Sequence, residues 1–355
     1  MKKPTRSKKV LIALSGGVDS SVAASLLKDR GYNVFGITMK MFSENDSTSK
    51  SSNISDAEVV AQKLGIPFEI IDVSQIFKSF IVANFINEYL SGKTPNPCVI
   101  CNNLVKFSIL AQKAKEYGAD FIATGHYAKI EKIKNRCILK KALDKTKDQS
   151  YFLYSLPKDM LEKIIFPLSD IKKIDVRKIA KSLGLHVAEK DDSQEICFIK
   201  GESYGAFVSK NATSIKPGPI LTLDGEQIGI HKGIIYYTIG QRKGIGIPFS
   251  KPFYVVKIDA EKNALYVGEE KDVYGKKLVA ENFNWISIDP PKTAMKAKAK
   301  IRYSGDETNA KVVLLKDNKV ALTFEKPVKA ITPGQSVVLY KNNTVLGGGI
   351  ICKTN

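Results

Sequence analysis

A chain of 355 residues, 43% hydrophobic and 26% charged, has the composition of a globular protein and the length for two or three domains. Its apolar runs fall well short of the roughly 18 residues that a membrane-spanning helix needs, and the basic segment 1–9 lacks the apolar centre of a secretory signal, so we expect a cytoplasmic protein. The net charge of +19 suits a polyanionic partner such as nucleic acid, although a compositional bias towards Lys, Ile and Asn would also supply many lysines.

The first half of the chain alternates between strand and helix patterns. These patterns predict strands at 10–14, 33–39, 68–73 and 121–124 and helices at 20–30, 55–64, 75–90 and 103–117. The polar segment 42–55 is predicted to be a loop, and two prolines exclude helix from 91–98. The alternation predicts an α/β domain with a doubly wound parallel sheet, whose ligands bind beyond the carboxyl ends of the strands. We therefore expect one site, formed by the segments at those ends: 15–21, 39–41, 96–101 and 125–127.

The sequence SGGVDSS, residues 15–21, separates the first strand from the first helix. Its glycine pair lets backbone N–H groups approach an anion, the helix dipole adds positive potential, and the serine hydroxyls can donate to phosphate oxygens. The segment lacks the Gly-Lys-Ser/Thr ending of a kinase-type phosphate loop and the spacing of a dinucleotide fingerprint. It resembles instead the pyrophosphate loop of ATP pyrophosphatases, which adenylate a substrate oxygen and release pyrophosphate.

The second half changes in texture. A strand is predicted at 136–140 and helices at 158–164 and 174–183, but from about residue 206 glycines and prolines are dense and the segments short. Later strand patterns, which predict a small β-barrel, lie at 297–303, 309–315, 319–324, 336–340 and 344–352. We therefore expect a catalytic domain at 1–205, a small β-rich domain at 206–275 and a barrel at 276–355.

The cysteines favour thiol chemistry over a structural role. Five cysteines, an odd number, argue against a disulfide framework, and only Cys98 and Cys101 have metal-ligand spacing, without a second pair to complete a zinc site. Cys101 precedes a predicted helix, whose N-terminus would lower the pKa of the thiol. Cys197 lies in the apolar segment Ile-Cys-Phe-Ile, where a cysteine is more often buried packing, and Cys98 with Cys101 could be a redox pair. Composition alone does not choose among these alternatives.

Six motifs occur in one order along the chain. They are SGGVDSS at 15–21, NPCVICN at 96–102 with Lys106-Phe107, ATGHYA at 123–128, KDQSYF at 147–152, SQEICF at 193–198 and YTIGQRKG at 237–244. As a set they resemble the bacterial tRNA-specific 2-thiouridylases, also called tRNA-uridine 2-sulfurtransferases, from residue 8 to about 350. Members of that family adenylate the 2-carbonyl oxygen of the wobble uridine with ATP and then replace this oxygen with sulfur.

The resemblance implies a role for each motif position. The ATP site would comprise Ala13, Leu14, Ser15, Gly16, Gly17, Val18, Asp19, Ser20, Met39 and Gly125, with Mg²⁺ as counterion and its protein ligands unassigned. The target base would face Asn96, Pro97 and Cys98. The tRNA would contact His126, Lys147, Asp148, Gln149, Arg302, Tyr303 and Gln335. Cys101 matches the nucleophile and Cys197 the persulfide carrier, and the two can form a transient disulfide.

The resemblance also implies two partners, a tRNA with uridine at the wobble position and a persulfide sulfur donor protein or relay. Lys296, Lys298 and Lys300 alternate along one predicted strand with Arg302, which would place their charges on one face for the tRNA backbone. A solvated strand face would show the same row. One departure concerns Cys98, where many family members have Asp, because a thiol cannot do the work of a carboxylate and competes with Cys101.

Two other functions share parts of this pattern. An ATP pyrophosphatase that forms amide or guanidino groups has the same loop and needs no cysteines. An RNA-binding module with a vestigial nucleotide site would bind tRNA without converting ATP to AMP. The paired cysteines and the order of the six motifs favour the sulfurtransferase.

Overall fold

The computed structural model describes residues 7–42, 51–191, 196–199, 201–212, 214–247 and 252–354. The elements of the first half are β1 (Lys9–Ala13), α1 (Val18–Asp29), β2 (Asn33–Lys40), α2 (Ser51–Leu64), β3 (Phe68–Asp72), α3 (Ser74–Phe77), α4 (Ala83–Leu90), α5 (Pro97–Cys101), α6 (Ser108–Glu116), β4 (Phe121–Ala123), β5 (Lys129–Ile133), β6 (Arg136–Lys140), β7 (Ile164–Ile165) and α7 (Lys173–Ser182). Two π-helical turns, Lys78–Val82 and Asn102–Phe107, join α3 to α4 and α5 to α6.

The second half is dominated by strands. Its elements are α8 (Tyr204–Asn211), β8 (Gly218–Leu221), β9 (Gln227–His231), β10 (Tyr254–Asp259), β11 (Ala264–Gly268), β12 (Tyr274–Asn284), β13 (Met295–Lys300), β14 (Thr308–Leu314), β15 (Val320–Lys329), β16 (Ser336–Lys341) and β17 (Thr344–Thr354). Within the ranges given above, no helix is long and apolar enough to cross a membrane.

The first sheet is parallel, which confirms the prediction of a doubly wound α/β domain. Its strand order is β3-β2-β1-β4-β7, and β1 pairs in parallel with both β2 and β4. The chain moves outward in one direction from β1 to β3 and in the other from β4 to β7. The boundary between β1 and β4 is therefore the topological switch point, where ligands of such sheets bind.

The apolar run of β1 is buried on both faces of the sheet. Val10 and Ile12 pack with α1, α2 and α7, whereas Leu11 points to the opposite face, where α6 packs. All three side chains are fully buried, as expected for a central parallel strand covered by helices on both sides. This rigid strand holds the SGGVDSS segment at its carboxyl end.

The exclusion of helix from residues 91–98 is wrong at its end. Helix α5 begins at Pro97, with Asn96 as its N-cap. Proline is tolerated at the first helical position because the N–H that it lacks would have no intrahelical partner. Cys98 is therefore helical. Helix α2 also begins earlier than predicted, at Ser51, while residues 43–50 of the predicted loop lie outside the described residues.

The C-terminal strands close into a six-stranded antiparallel barrel, which confirms the predicted barrel. The order is β12-β15-β14-β13-β16-β17, and β12 pairs with β17 to close it. Along β13, Ala297 and Ala299 point into the barrel core, whereas Lys296 and Lys298 are exposed. The predicted one-sided row of lysines is thus present, with Arg302 beyond the end of the strand. The hairpin of β5 and β6 extends the barrel sheet at β17.

The central β-rich region is a four-stranded sheet of order β10-β11-β8-β9. Its apolar side chains form one core with those of α3, α4 and α5, so it packs against the helices that precede and contain the Cys-x-x-Cys segment. Phe198, next to Cys197, belongs to this core and contacts Phe77 and Phe85. The central sheet therefore supports the position of Cys197.

Candidate active site

The SGGVDSS segment forms a preorganised turn that we call the anion loop. Gly16 has φ +68°, and a Cβ atom there would lie 2.1 Å from the Asn53 carbonyl oxygen, so only glycine fits. Gly17 is the extended N-cap residue of α1. The Ser15 N–H donates to Ser20 Oγ at 3.1 Å, and the two hydroxyl oxygens are 3.2 Å apart. The loop therefore holds its shape through bonds within itself.

The segment Thr124–His126 closes the anion loop from the adjacent strand β4. A Cβ atom on Gly125 would lie 2.6 Å from the Ser20 nitrogen, so the backbone after β4 approaches the first turn of α1 as closely as glycine allows. The carboxyl ends of β1 and β4 thus meet, as the switch-point topology requires. Met39, the other predicted ATP residue, lies near the carboxyl end of the neighbouring strand β2.

A lysine that the sequence analysis missed supplies charge to the anion loop. Lys173 on α7 is 8% exposed, and its Nζ lies 2.7 and 2.6 Å from the two carboxylate oxygens of Asp19. The Tyr127 hydroxyl donates to the same carboxylate at 2.8 Å. Asp19 therefore anchors a buried ammonium group beside the N-terminus of α1, where the helix dipole already favours an anion.

A second lysine fastens the outer side of the anion loop. Lys190 Nζ donates to the Gly16 carbonyl oxygen at 3.1 Å and to Asn53 Oδ1 at 2.8 Å, and it pairs with the Asp56 carboxylate. His186 Nε2 lies 2.8 Å from Asp56. Burial opposes the charge of Asp56, but hydrogen bonds from Lys190 and His186 outweigh it and lower the pKa of this carboxyl.

Cys98, Cys101, Cys197 and Lys106 form a group that we call the thiol pocket. Cys98 and Cys101 are three residues apart on α5 and share a helix face. The following π turn brings residues five apart onto one face, which places Lys106 near Cys101. Cys197 comes from the distant turn after β7 and α7, and its thiol interacts electrostatically with the other three groups. The structure thus brings together the two cysteines predicted for catalysis.

Burial keeps the thiols of this pocket protonated. Burial raises the pKa of Cys98 and of Cys101 and raises that of Cys197 to about 12, while the charge of Lys106 opposes each shift. Cys98 and Cys197 are nevertheless reachable by solvent. The predicted lowering of the Cys101 pKa is wrong, because this residue ends α5 inside a continuous helix and is buried.

Lys106 is the cation of the thiol pocket. Burial acts to lower the pKa of its ammonium group, but Cys101, Cys98 and Cys197 act in the opposite direction, and the net pKa is raised. A lysine ammonium group beside neutral thiols can stabilise a sulfur anion that forms there. The sequence shows that Lys106 follows Cys101 by five residues. It does not show the π turn, which brings residues at this spacing onto one face.

His126 connects the thiol pocket to the anion loop. It directly follows Gly125, and its ring contacts those of Phe107 and Phe166 at centroid distances of 5.9 and 6.3 Å. Its Nδ1 lies 2.8 Å from Thr124 Oγ1. Burial and the charge of Lys106 lower the pKa of His126 to about 3, so the imidazole is neutral at physiological pH. Both parts of the site therefore flank Thr124–His126.

The residues predicted to face the target base lie at the mouth of the thiol pocket. Asn96 is the N-cap residue of α5 and its side chain lies near the Tyr151 hydroxyl, Pro97 is buried, and Cys98 is exposed. They stand beside Cys101 on the same helix. A base placed against them would lie beside the thiols of α5.

The residues predicted to contact tRNA do not form one cluster in the structure. Lys147 and Asp148 interact electrostatically with Tyr303, whose ring stacks on Phe152 at 4.5 Å. Asp148 is occupied within the fold, where it accepts hydrogen bonds from the Ala142 N–H at 3.0 Å and the Ser150 hydroxyl at 2.8 Å.

The remaining three predicted tRNA residues make contacts within the protein. Gln149 Oε1 accepts from the Tyr127 N–H at 2.9 Å, and the Arg302 guanidinium donates to the Lys329 carbonyl oxygen. Gln335 contacts the loop before α5. Of the predicted SQEICF motif, residues 193–195 lie outside the described residues, and only its last three positions can be placed.

The fold and the site together define a class of protein. An anion loop stands at the switch point of a parallel sheet, between β1 and α1, and helix α5 carries thiols to the same edge. This arrangement is that of an ATP-binding enzyme of the pyrophosphatase-loop class with thiol chemistry.

Comparisons with known proteins agree and narrow the class. Residues 8–201 match the tRNA methyl transferase HUP domain, residues 205–269 the tRNA methyl transferase PRC-barrel domain, and residues 275–351 the aminomethyltransferase beta-barrel domain. The tRNA-specific 2-thiouridylase MnmA of Acetivibrio thermocellus is 48% identical over 97% of this chain and 99% of its own length. The tRNA-specific 2-thiouridylase MnmA 2 of Caldanaerobacter subterraneus is 47% identical, with 98% of each chain covered. The chain belongs to the tRNA-specific 2-thiouridylase family.

Proposed function

We propose that this protein catalyses ATP-dependent 2-thiolation of the wobble uridine of tRNA. The observation that carries the proposal is that the anion loop and the thiol pocket flank the same segment, Thr124–His126. Such an arrangement lets one bound uridine meet the α-phosphate of ATP on one side and sulfur on the other. The relatives that share nearly the whole chain are named for the same reaction.

The first step activates the uridine. Residues Ala13–Ser20, Met39 and Gly125 would bind ATP, with the polyphosphate at the N-terminus of α1. The 2-carbonyl oxygen attacks the α-phosphorus, the bond to the β-phosphate oxygen breaks, and pyrophosphate leaves. Lys173, held by Asp19, would stabilise the charge of the departing phosphates. The oxygen of uridine, a poor leaving group, thereby becomes part of AMP.

The second step transfers sulfur. A persulfide on Cys197 attacks C2 of the uridine through its terminal sulfur, and the C–O bond breaks to release AMP. The Cys101 thiolate then attacks the Cys197 sulfur and breaks the S–S bond, whose electron pair goes to the sulfur now on C2. The products are 2-thiouridine and a Cys101–Cys197 disulfide, which an external thiol reductant must reopen. Lys106 would be the counterion of both sulfur anions.

The tRNA would be held by the modules outside the ATP domain. We propose the division into 1–205, 206–275 and 276–355, with β12 at Tyr274 as the first strand of the tRNA-binding barrel. The exposed Lys296 and Lys298 of β13 would contact the phosphate backbone. Other parts of the tRNA would contact His126, Lys147, Asp148, Gln149, Arg302, Tyr303 and Gln335. The wobble base would flip out of its stack to face Asn96, Pro97 and Cys98. A persulfide donor protein would load Cys197 in the cytoplasm.

Mg²⁺ is proposed to enter with ATP rather than on a protein site. Asp19, the carboxylate within the anion loop, does not fit as a ligand because Lys173 and Tyr127 already engage it. Among the residues that the structure describes, no three Asp, Glu, His or Cys side chains are grouped to hold a metal ion. No step above depends on a protein-bound metal.

The experiment is to incubate the protein with an unmodified tRNA transcript, ATP and a small-molecule persulfide, and to measure nucleosides by mass spectrometry together with pyrophosphate. We expect 2-thiouridine to accumulate only with ATP. Pyrophosphate release that survives replacement of both Cys101 and Cys197 by Ser, with a stable amide product, would favour an amide-forming enzyme instead. Binding of tRNA without pyrophosphate release would favour an RNA-binding module.

A further inference from the structure

The barrel touches the loop that leads into α5 through one side chain. Gln335 stands in the turn before β16, and its Nε2 donates to the carbonyl oxygen of Thr94 at 2.9 Å and to that of Pro95 at 3.4 Å. These two carbonyl groups belong to the residues immediately before Asn96 and the start of α5. Residues 241 positions apart in the chain are thus joined next to the proposed base-binding segment.

The backbone of the same turn repeats the contact. The Thr94 N–H donates to the Pro333 carbonyl oxygen at 2.9 Å. Gly334 has φ +90°, and a Cβ atom there would lie 3.0 Å from the Thr94 backbone. The turn and the loop are therefore in contact at their main chains, with no room for a side chain between them.

A second connection runs through Tyr151. Its hydroxyl donates to the Ser336 carbonyl oxygen at 2.8 Å, and the Asn96 side chain lies near the same hydroxyl. Ser336 follows Gln335 at the start of β16. Gln335 thus holds Thr94 and Pro95 directly, and the adjacent Ser336 binds Tyr151, which lies beside Asn96.

We propose that Gln335 is a positioning residue that couples the seating of tRNA on the barrel to the placement of Asn96, Pro97 and Cys98 against the base. The proposal rests on the proposed function. Among the described residues, the Gln335 amide nitrogen is committed to the loop, whereas its Oε1 makes no hydrogen bond and can accept from a ribose hydroxyl. An RNA strand bound there would act on the same side chain that holds the loop.

The test compares Gln335→Met with the matched substitution Gln227→Met, which alters an exposed glutamine of β9. The Met side chain keeps the length of Gln and removes both donors. We expect Gln335→Met to slow pyrophosphate release at saturating tRNA by about tenfold, as for a modest misplacement of reacting groups, while the Kd for tRNA changes less than about threefold. Gln227→Met should change neither quantity.

A second readout does not require turnover. Cys98 is the second residue of α5, directly after the clamped loop, and is exposed, so its alkylation by iodoacetamide reports on the loop in the protein without ATP or tRNA. We expect a severalfold faster reaction in Gln335→Met than in the wild type and Gln227→Met. If Gln335→Met changes the alkylation rate but the wild-type protein makes no 2-thiouridine, then Gln335 does position the loop, and the proposed function is wrong.

Two results would overturn the proposal. A raised Kd for tRNA with an unchanged rate at saturation and unchanged Cys98 alkylation would make Gln335 an RNA contact and nothing more. Unchanged values of all three quantities would mean that the remaining contacts at Pro333 and Ser336 position the loop alone. Thermal melting of each variant verifies that the fold is retained.

Discussion

The anion loop and the thiol pocket lie on one edge of the protein but are prepared for their tasks in different ways. The anion loop is fixed in geometry, because its glycines pack against backbone and its serines bond one another. The thiol pocket is prepared by charge, because the ammonium group of Lys106 lies near thiols whose burial keeps them neutral. In the proposed reaction, ATP would therefore bind to a loop that is already shaped for it, whereas sulfur transfer would wait for a persulfide, which is more acidic than a thiol.

The largest expected effect comes from a substitution in the thiol pocket, which should stop sulfur transfer and leave ATP turnover at the anion loop intact. Cys197→Ser should lower formation of 2-thiouridine by about 100-fold or more, because no residue carries the persulfide, while pyrophosphate release with tRNA continues. Nucleoside mass spectrometry and a pyrophosphate assay on one sample measure both. The control is Cys352→Ser, since Cys352 bonds the Val279 carbonyl in the barrel and should leave both steps intact. An undiminished yield of 2-thiouridine from Cys197→Ser would contradict the role of Cys197 as persulfide carrier.

The reverse change alters the geometry of the anion loop. In Gly125→Ala the new Cβ atom would meet the Ser20 nitrogen, and the resulting shift of the first turn of α1 should reduce pyrophosphate release by about 100-fold. ATP titration calorimetry and the pyrophosphate assay measure the loss.

The matched control for this variant is Gly229→Ala, whose new Cβ atom would meet Ile247 at an ordinary 3.5 Å. Cys98 alkylation should stay at the wild-type rate in both variants. Normal ATP turnover by Gly125→Ala would show that the close approach of the two loops is not needed.

Lys106→Met tests whether charge prepares the thiol pocket. Lys106 acts to lower the pKa of Cys98 and Cys197, so its removal should shift the alkylation profile of both thiols to higher pH. At a fixed pH of 8 the reaction should slow by about three- to tenfold, with thiolation slowed similarly. Lys106→Arg, which keeps the charge, should recover most of the rate. Equal profiles for Met and Arg would assign Lys106 a packing role.

The smallest expected effect concerns His126, which lies between the two regions. Burial and Lys106 depress its pKa from 6.5 to about 3, so the unfolded chain takes up a proton below pH 6.5 that the folded protein refuses. The stability from neutral His126 is therefore present above pH 6.5 and is lost as the pH falls towards 3.

Urea denaturation of wild type and His126→Gln between pH 7 and 6 measures this contribution. The midpoint of the wild type should fall more steeply with acidification, by a few tenths of a molar in urea at most. Parallel curves would contradict a neutral buried imidazole. Other acid-sensitive pairs, such as Lys190 with Asp56, are common to both proteins and cancel.

Local patterns sufficed for much of the fold and for the anion loop. The strand β1, the glycine pair and α1 are consecutive in sequence, and a parallel sheet follows from strands that alternate with helices. The barrel strands were recognisable by alternation, as in β13, where alanine points inward and lysine outward. Strand β12, which closes the barrel, was missed because several of its positions do not alternate.

The contacts that complete the site are long-range and leave no local signal. Lys173 lies 154 residues from Asp19, and Gln335 lies 241 from Thr94, so neither pairing can be inferred from spacing. The position of Lys106 depends on a π turn, which periodicity does not predict. The predicted tRNA role of Asp148 came from a family resemblance, and its bonds to Ala142 and Ser150 appear only in three dimensions.

The most direct test is a single turnover of protein carrying one persulfide on Cys197, with excess ATP and tRNA. If the proposed two-step reaction is correct, we expect equal amounts of 2-thiouridine, AMP and pyrophosphate, and a Cys101–Cys197 disulfide in the same amount. Thiouridine formed without ATP, or AMP and pyrophosphate formed while the persulfide stays on Cys197, would contradict it.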